Sequence, residues 1–137
     1  MLETIDRRAV LATVGGLLAQ AVANAQNSGR PAGPIFQHDL PEVNLRGWSV
    51  TVVEVKYAPG AASNAHRHPG ITFAYVLEGE IASKVGDDPE KTYATGEMFM
   101  ETPGQLHAVS RNASSTKPAR LLALLLAEKG AQLTTPA

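Results

Sequence analysis

The feature that most constrains this fold is a series of short apolar segments between residues 47 and 128, each ended by glycine or proline. The segment WSVTVVEVKY, which starts at Trp48, is rich in β-branched residues and is followed by Pro59-Gly60. Segments of this length and composition between such turns are typical of β-strands. Twelve glycines and nine prolines supply many turns. The pattern therefore predicts an all-β domain of short antiparallel strands.

The segments that follow fit the same pattern. ITFAYVLEGEIASKV predicts two strands joined by a tight turn at Glu78-Gly79, and TGEMFMETPG and LHAVSRN predict one strand each. The apolar run ARLLALLLAE at residues 119–128 consists of residues that favour a helix. It follows Pro118 in a strand-rich chain and has no amphipathic period, so we predict a central strand.

Residues 1–25 predict a cleavable export signal. Arg7-Arg8 precedes a moderately apolar run, and the sequence Ala-Asn-Ala that ends at Ala25 is a small-x-small cleavage pattern. The segment resembles a twin-arginine export signal, with an ordinary Sec signal or an amphipathic N-terminal helix as alternatives. The apolar run is too short and too interrupted for a membrane span. The expectation is a periplasmic or secreted protein with no stable membrane span after cleavage.

The rest of the chain is predicted to form one domain with two flanking segments. Residues 26–46 are rich in Gly, Pro, Asn and Gln and predict an arm or linker, with a short edge strand near Ile35-Phe36. Residues 47–128 contain the predicted strands, and residues 129–137 form a C-terminal tail.

Charge and cysteine content exclude several classes of function. The net charge is −1 at pH 7 and no run of Lys or Arg is present, so nothing supports nucleic-acid binding. The absence of cysteine excludes a disulfide framework, a thiolate metal site and a cysteine nucleophile. Any metal site must therefore use histidine, carboxylates and water.

Two of the four histidines, His66 and His68, stand two residues apart. On a strand this spacing directs both side chains to the same face, with Cα atoms about 6.6 Å apart, so both imidazoles can reach one ion. Pro69 places the pair at the end of a strand. His107 offers a third imidazole, whereas His38 lies in the arm without such a context. The alternative is a pair of solvated or core histidines.

The spacing around these histidines resembles the two sequence motifs of the cupin family, over roughly residues 47–127. The matching positions are Gly60, His66, His68 and Gly79 in the first motif, and Gly96, Gly104 and His107 in the second. In the second motif Thr102 stands in place of the proline, which is shifted to Pro103, and Asn112 follows slightly late. The stretch YVLEGE at 75–80 is also similar to the cupin turn after the first motif. The resemblance implies an antiparallel jelly-roll (cupin) β-barrel with a metal ion near its open end, held by His66, His68 and His107.

The chain departs from the cupin pattern at the acidic position of the first motif. A glutamate is expected after a gap of three or four residues from His68, where this chain has Thr72 and Phe73. The resemblance therefore implies a three-histidine centre for a divalent transition metal, with Fe, Zn, Ni and Cu all compatible with imidazole ligands. The alternative is that metal binding has been weakened or lost, which would leave a ligand-binding barrel.

Glu101 is the candidate catalytic residue, since it lies in FMETPG on the strand that leads into the second motif. A carboxylate there can orient a histidine ligand or shuttle protons; the alternative is a solvated side chain on an outward strand face. The candidate pocket-wall residues, with the core as the alternative location, are Phe73, Tyr75, Phe99 and Met100.

Two classes of function are compatible with these features. The first is a metal-dependent enzyme, of dioxygenase type or of isomerase/lyase type, that acts on a small molecule. The second is a non-enzymatic module that binds a small ligand or a metal. A homodimer is expected in either class, because cupins frequently pair through sheet edges.

Overall fold

The computed structural model describes residues 33–137, which form ten β-strands and no helix. The predicted signal at residues 1–25 and the first part of the arm lie outside the described residues. The strands are β1 (Trp48–Tyr57), β2 (Ala62–Ser63), β3 (His66–Arg67), β4 (Ile71–Glu78), β5 (Glu80–Val85), β6 (Lys91–Ala94), β7 (Met98–Glu101), β8 (Leu106–Asn112), β9 (Ala119–Glu128) and β10 (Thr135–Pro136). Within the described part of the chain, no helix is long and apolar enough to cross a membrane.

The strands form two antiparallel sheets with the core between them. One sheet has the order β1-β9-β4-β7, and the other has the order β10-β3-β8-β5-β6, with β2 paired to β8. Both sheets contribute to the main apolar cluster, which includes Val76 of β4, Ile81 of β5, Phe99 of β7 and Leu121 of β9. Although the sheets do not close into one continuous barrel, the prediction of an all-β antiparallel jelly roll is confirmed.

The apolar run at residues 119–128 is the central strand that the sequence predicts. It forms β9, which pairs with β1 from Trp48↔Glu128 to Tyr57↔Ala119 and with β4 on its other side. A strand with a neighbour on each edge has all its backbone groups within the sheet, and this pairing overrides the helical preference of Leu and Ala.

The predicted edge strand near Ile35-Phe36 is wrong. No strand is present between residue 33 and the start of β1 at Trp48. Pro34 and Pro41 flank this segment and have no backbone N–H to donate, which disfavours continuous pairing with a sheet. Phe36 instead packs edge-on against Phe73, with the ring centroids 6.3 Å apart.

The predicted tight turn at Glu78-Gly79 joins β4 to β5. Gly79 has a φ of +71°, a conformation that residues with a Cβ rarely adopt. A Cβ there would also lie 2.7 Å from the carbonyl oxygen of Pro118. Glycine therefore allows β4 to leave one sheet and β5 to enter the other within a single residue.

Candidate metal centre

Strands β3 and β8 bring three histidines to one wall of an internal cavity. His66 of β3 pairs directly with His107 of β8, and His68 follows β3 immediately. The ligating atoms that these three residues offer all lie within 4.8 Å of one another. The fourth histidine, His38, lies apart from them and stacks against Phe36.

Backbone carbonyls orient His66 and His68. The Nδ1 of His66 lies 2.7 Å from the Asn64 carbonyl oxygen, and the Nδ1 of His68 lies 2.7 Å from the Leu133 carbonyl oxygen. A carbonyl oxygen only accepts, so each Nδ1 carries a proton, which leaves Nε2 as the nitrogen whose lone pair can bind a metal when the ring is neutral. Histidine ligands of metals are usually held in this way.

Burial lowers the pKa of His66 below its ordinary value of 6.5. Repulsion from His107 and His68 adds to the lowering, against a hydrogen bond to Asn64 that acts in the opposite direction. The imidazole of His66 is therefore neutral at pH 7, the form in which histidine binds a metal.

His107 faces a hydroxyl on one side and a carboxylate on the other. Its Nε2 lies 2.8 Å from the Oγ of Ser83, and its Nδ1 lies 3.2 Å from the Oε1 of Glu101. Ser83 and Glu101 come from β5 and β7, so both sheets hold this ring.

Glu101 lies inside the cavity. Its residue is only 2% exposed, because Phe99 and Glu101 occupy the inward phase of β7. Its Oε2 lies 3.9 Å from the Nε2 of His68. The alternative of a solvated carboxylate is therefore excluded, while a catalytic role for Glu101 stays a prediction.

Three buried side-chain atoms of the described residues have no hydrogen-bond partner, and all three belong to this site. They are Thr72 Oγ1, Glu101 Oε2 and His107 Nδ1. Buried polar atoms without partners are rare and costly, and they often mark an ion or a water. Glu101 Oε2 and His107 Nδ1 can both donate a lone pair to a cation held among the three histidines, so the residues present fit a bound transition-metal cation.

The histidines and Glu101 line a cavity of about 470 Å³. The apolar part of its wall comes mainly from the four-stranded sheet, chiefly from Val53, Val55, Leu121, Ala123 and Leu125. A concave apolar site with a few convergent polar groups is the usual form of a small-molecule binding site.

Of the four predicted pocket-wall residues, Phe99 lines this cavity and Phe73, Tyr75 and Met100 do not. Side chains alternate along a strand, and Thr72 and Ala74 occupy the inward phase of β4. Phe73 and Tyr75 therefore point to the other side of the sheet, as Met100 does in β7. The three predictions are wrong because residue type alone does not give the phase of a strand.

Tyr57, a buried phenol in the cavity wall, is a site residue that the sequence pattern does not predict. Its hydroxyl lies 2.6 Å from the Oγ of Ser63 and 2.9 Å from the Oγ of Ser110. The three hydroxyls come from β1, β2 and β8, so this cluster joins the two sheets. The only sequence signal is that β1 ends with a tyrosine, at a position whose side chain points into the fold.

Replacing Tyr57 by phenylalanine is expected to lower the free energy of unfolding by about 1–2 kcal/mol, since two hydrogen bonds in the interior are lost. Urea denaturation followed by circular dichroism measures the change. Tyr75→Phe is the matched control, because Tyr75 lies outside the cavity. Equal stability of Tyr57→Phe and the parent chain would contradict a structural role for this cluster.

The C-terminal segment also borders the site. Strand β10 pairs with β3, and Thr134, Thr135 and Pro136 line the cavity. Together with the hydrogen bond from His68 to the Leu133 carbonyl, these contacts fix the segment that carries two of the histidines.

Comparisons with known proteins agree with this architecture. The family model described as "Cupin domain" matches residues 53–125. The chain is 31% identical to the cupin-domain-containing oxidoreductase srdB of Neurospora crassa over 126 residues, 88% of this chain and 62% of that protein. It is 36% identical to germin-like protein subfamily 2 member 2 of Arabidopsis thaliana over 115 residues, 78% of this chain and 49% of that protein. The chain thus spans less than two thirds of either relative.

Among solved structures, the DMSP lyase DddQ of Ruegeria pomeroyi matches with a TM-score of 0.57 and 19% identity, over 65% of this chain and 43% of that one. At this level of identity the match concerns the fold.

Proposed function

The chain belongs to the cupin domain family, and we propose that it is a metal-dependent enzyme that acts on a small molecule. The observation that carries this proposal is the convergence of His66, His68 and His107 on the wall of a cavity of about 470 Å³. A cavity of this size can enclose a small organic molecule beside the histidines.

The proposed cofactor is a divalent transition metal. Imidazole nitrogens suit Fe, Zn, Ni and Cu, and the absence of cysteine removes competing thiolate ligands. When bound, such an ion supplies Lewis acidity toward a substrate oxygen and, for iron or copper, redox chemistry.

The cavity wall favours a neutral and largely apolar substrate. Aliphatic side chains from β1 and β9 make one wall of the cavity apolar, and no described lining residue is Lys or Arg. Apart from the metal ion, the described wall therefore offers a dianionic substrate no positively charged side chain of Lys or Arg. The hydroxyl cluster of Tyr57, Ser63 and Ser110 provides hydrogen bonds for one polar group.

An oxidoreductase is the better supported reaction class. The relative of 31% identity is named an oxidoreductase, although this chain spans only 62% of it. The predicted isomerase or lyase activity is the second candidate class, and a non-enzymatic binding module is the alternative to both.

Metal analysis of the purified full chain tests the proposal. After loading with Fe, Zn, Ni and Cu in turn, we expect about one ion per chain for at least one metal. Less than about 0.1 ion per chain in every case would refute a metal enzyme. With iron or copper bound, oxygen consumption with neutral enolisable and catecholic compounds identifies an oxidoreductase, whereas ligand binding without turnover identifies a binding module.

We also propose export to the periplasm or the medium, directed by residues 1–25. Arg7-Arg8, the apolar run and the small-x-small pattern at Ala25 support this proposal. N-terminal sequencing of the protein from its native source is the test. A mature chain that starts at residue 26 is the expected result, and an intact Met1 would contradict cleavage.

The proposed assembly is a homodimer that pairs through β1. This strand is an edge of the four-stranded sheet, and its Val50 and Val52 are 60% and 56% exposed. Exposed apolar side chains on a long edge strand are unusual in a monomer. Light scattering should give twice the chain mass, and Val50→Lys should shift it to the monomer mass.

A further inference from the structure

We infer that Glu101 is a fourth protein ligand of the metal ion, and that it supplies from β7 the carboxylate that the first cupin motif lacks on β4. This inference rests on the proposed metal site at the three histidines. This role differs from that of a proton shuttle. A ligand carboxylate binds the ion through an oxygen lone pair and adds its negative charge to the metal centre, whereas a shuttle only carries protons.

The strand register carries the first step of the argument. Thr72, at the position where the motif has an acid, pairs directly with Glu101 in the antiparallel ladder of β4 and β7. Side chains of directly opposed residues lie on the same face of the sheet, with Cβ atoms about 4.5–5.5 Å apart. The carboxylate of Glu101 therefore occupies nearly the same region of the cavity as an acid at position 72.

The interatomic distances carry the second step. Glu101 Oε1 lies 3.2 Å from His107 Nδ1, and Glu101 Oε2 lies 3.9 Å from His68 Nε2. Two ligand atoms that each lie about 2.0–2.2 Å from one ion are separated by about 3.0–3.5 Å. The carboxylate is thus at the spacing from His107 that ligation of one ion requires, and near it for His68.

The surroundings of the buried Glu101 carboxylate provide few groups that could stabilise its negative charge. Within residues 33–137, the only basic side chains closer than 4.0 Å to its oxygens are the rings of His68 and His107, and Oε2 has no hydrogen-bond partner. A buried carboxylate is costly unless a cation or several donors face it. A divalent ion at the histidines supplies that positive charge.

Cobalt(II) binding to the full chain is the test, because the visible spectrum of Co(II) reports changes in its ligands. Glu101→Gln removes the charge and keeps the shape of the side chain, and we expect the affinity for Co(II) to fall about 100-fold with a changed spectrum. Glu97→Gln is the matched control: Glu97 is exposed, its Oε2 accepts the backbone N–H of Ala94, and its substitution should leave affinity and spectrum unchanged.

The double variant Thr72→Glu, Glu101→Gln separates ligation from orientation of His107. If the carboxylate binds the ion, moving it to the paired position on β4 should give the double variant an affinity for Co(II) at least about tenfold higher than that of Glu101→Gln. No recovery, together with an unchanged Co(II) spectrum in Glu101→Gln, would overturn the inference.

Thermal unfolding of the metal-free protein gives an independent readout. A ligand carboxylate is unfavourable in the absence of the ion, so metal-free Glu101→Gln should unfold at the same temperature as the parent chain or higher. A lower unfolding temperature would instead assign Glu101 to a structural pair with the histidines. If the parent chain itself binds no Co(II), the proposed metal site fails first, and a Glu101→Gln variant that binds as tightly as the parent refutes only the role of Glu101.

Discussion

Replacing either His66 or His107 by alanine is expected to lower the affinity for a transition-metal ion by at least about 100-fold. Each substitution removes one of only three imidazoles whose ligating atoms converge within 4.8 Å. Loss of the residues that merely support a ligand already costs about 10–100-fold, so loss of a ligand should cost more. Competition against a chromogenic chelator measures the affinity, and the metal content of the purified variants gives a second estimate.

His38→Ala is the control for these variants. His38 lies outside the cavity, and its Nδ1 hydrogen-bonds the backbone carbonyl of the adjacent Asp39. Its substitution should leave metal affinity within about threefold of the parent chain, well below the 10–100-fold cost of losing a group that supports a ligand. If His66→Ala bound metal as tightly as His38→Ala, the three-histidine centre would be wrong.

Gly70→Ala is expected to lower the free energy of unfolding by about 3 kcal/mol or more, or to prevent folding. A Cβ at Gly70 would overlap the carbonyl oxygen of Leu126 and lie 2.9 Å from the Cα of Ala127. The backbone has little freedom to withdraw, since Ile71 pairs with Leu126 in the ladder and the carbonyl of His68 accepts from Gly104 N–H at 2.8 Å. Urea denaturation measures the loss, and reduced metal affinity should accompany it because His68 is two residues away.

Gly33→Ala is the matched control for Gly70→Ala, since a Cβ at Gly33 has no atom within 4 Å. We expect a change within about 0.5 kcal/mol at that position. Similar stability of the two variants would mean that the close approach of Gly70 to β9 does not constrain the fold.

The strands that are long or bounded by clear turns could be predicted from the sequence. The β-branched run of β1 and the Gly79 turn between β4 and β5 are local signals, and the structure contains both. Strand β9 needed an argument from context, because its Leu and Ala residues favour a helix. Strands β2, β3 and β10 have two residues each, too few to leave a compositional signal.

The candidate site could be predicted only in part from the sequence, because several of its features depend on strand register and on contacts between distant residues. The spacing of His66 and His68 is a local pattern, whereas the inward direction of Glu101 depends on the phase of β7. The same uncertainty of phase led to the wrong assignment of Phe73 and Met100 to the cavity. The hydrogen bond between His68 and Leu133 joins residues 65 positions apart, and no local pattern indicates it.

The segment after β9 has a consequence for how relatives of this chain are grouped. The family match ends at residue 125, but Thr134, Thr135 and Pro136 form part of the cavity wall. Two proteins with nearly identical residues at 53–125 could therefore admit different ligands if their C-terminal segments differ. Inferring the substrate of one such protein from that of another therefore requires that the two agree in this segment as well as in the histidine motifs.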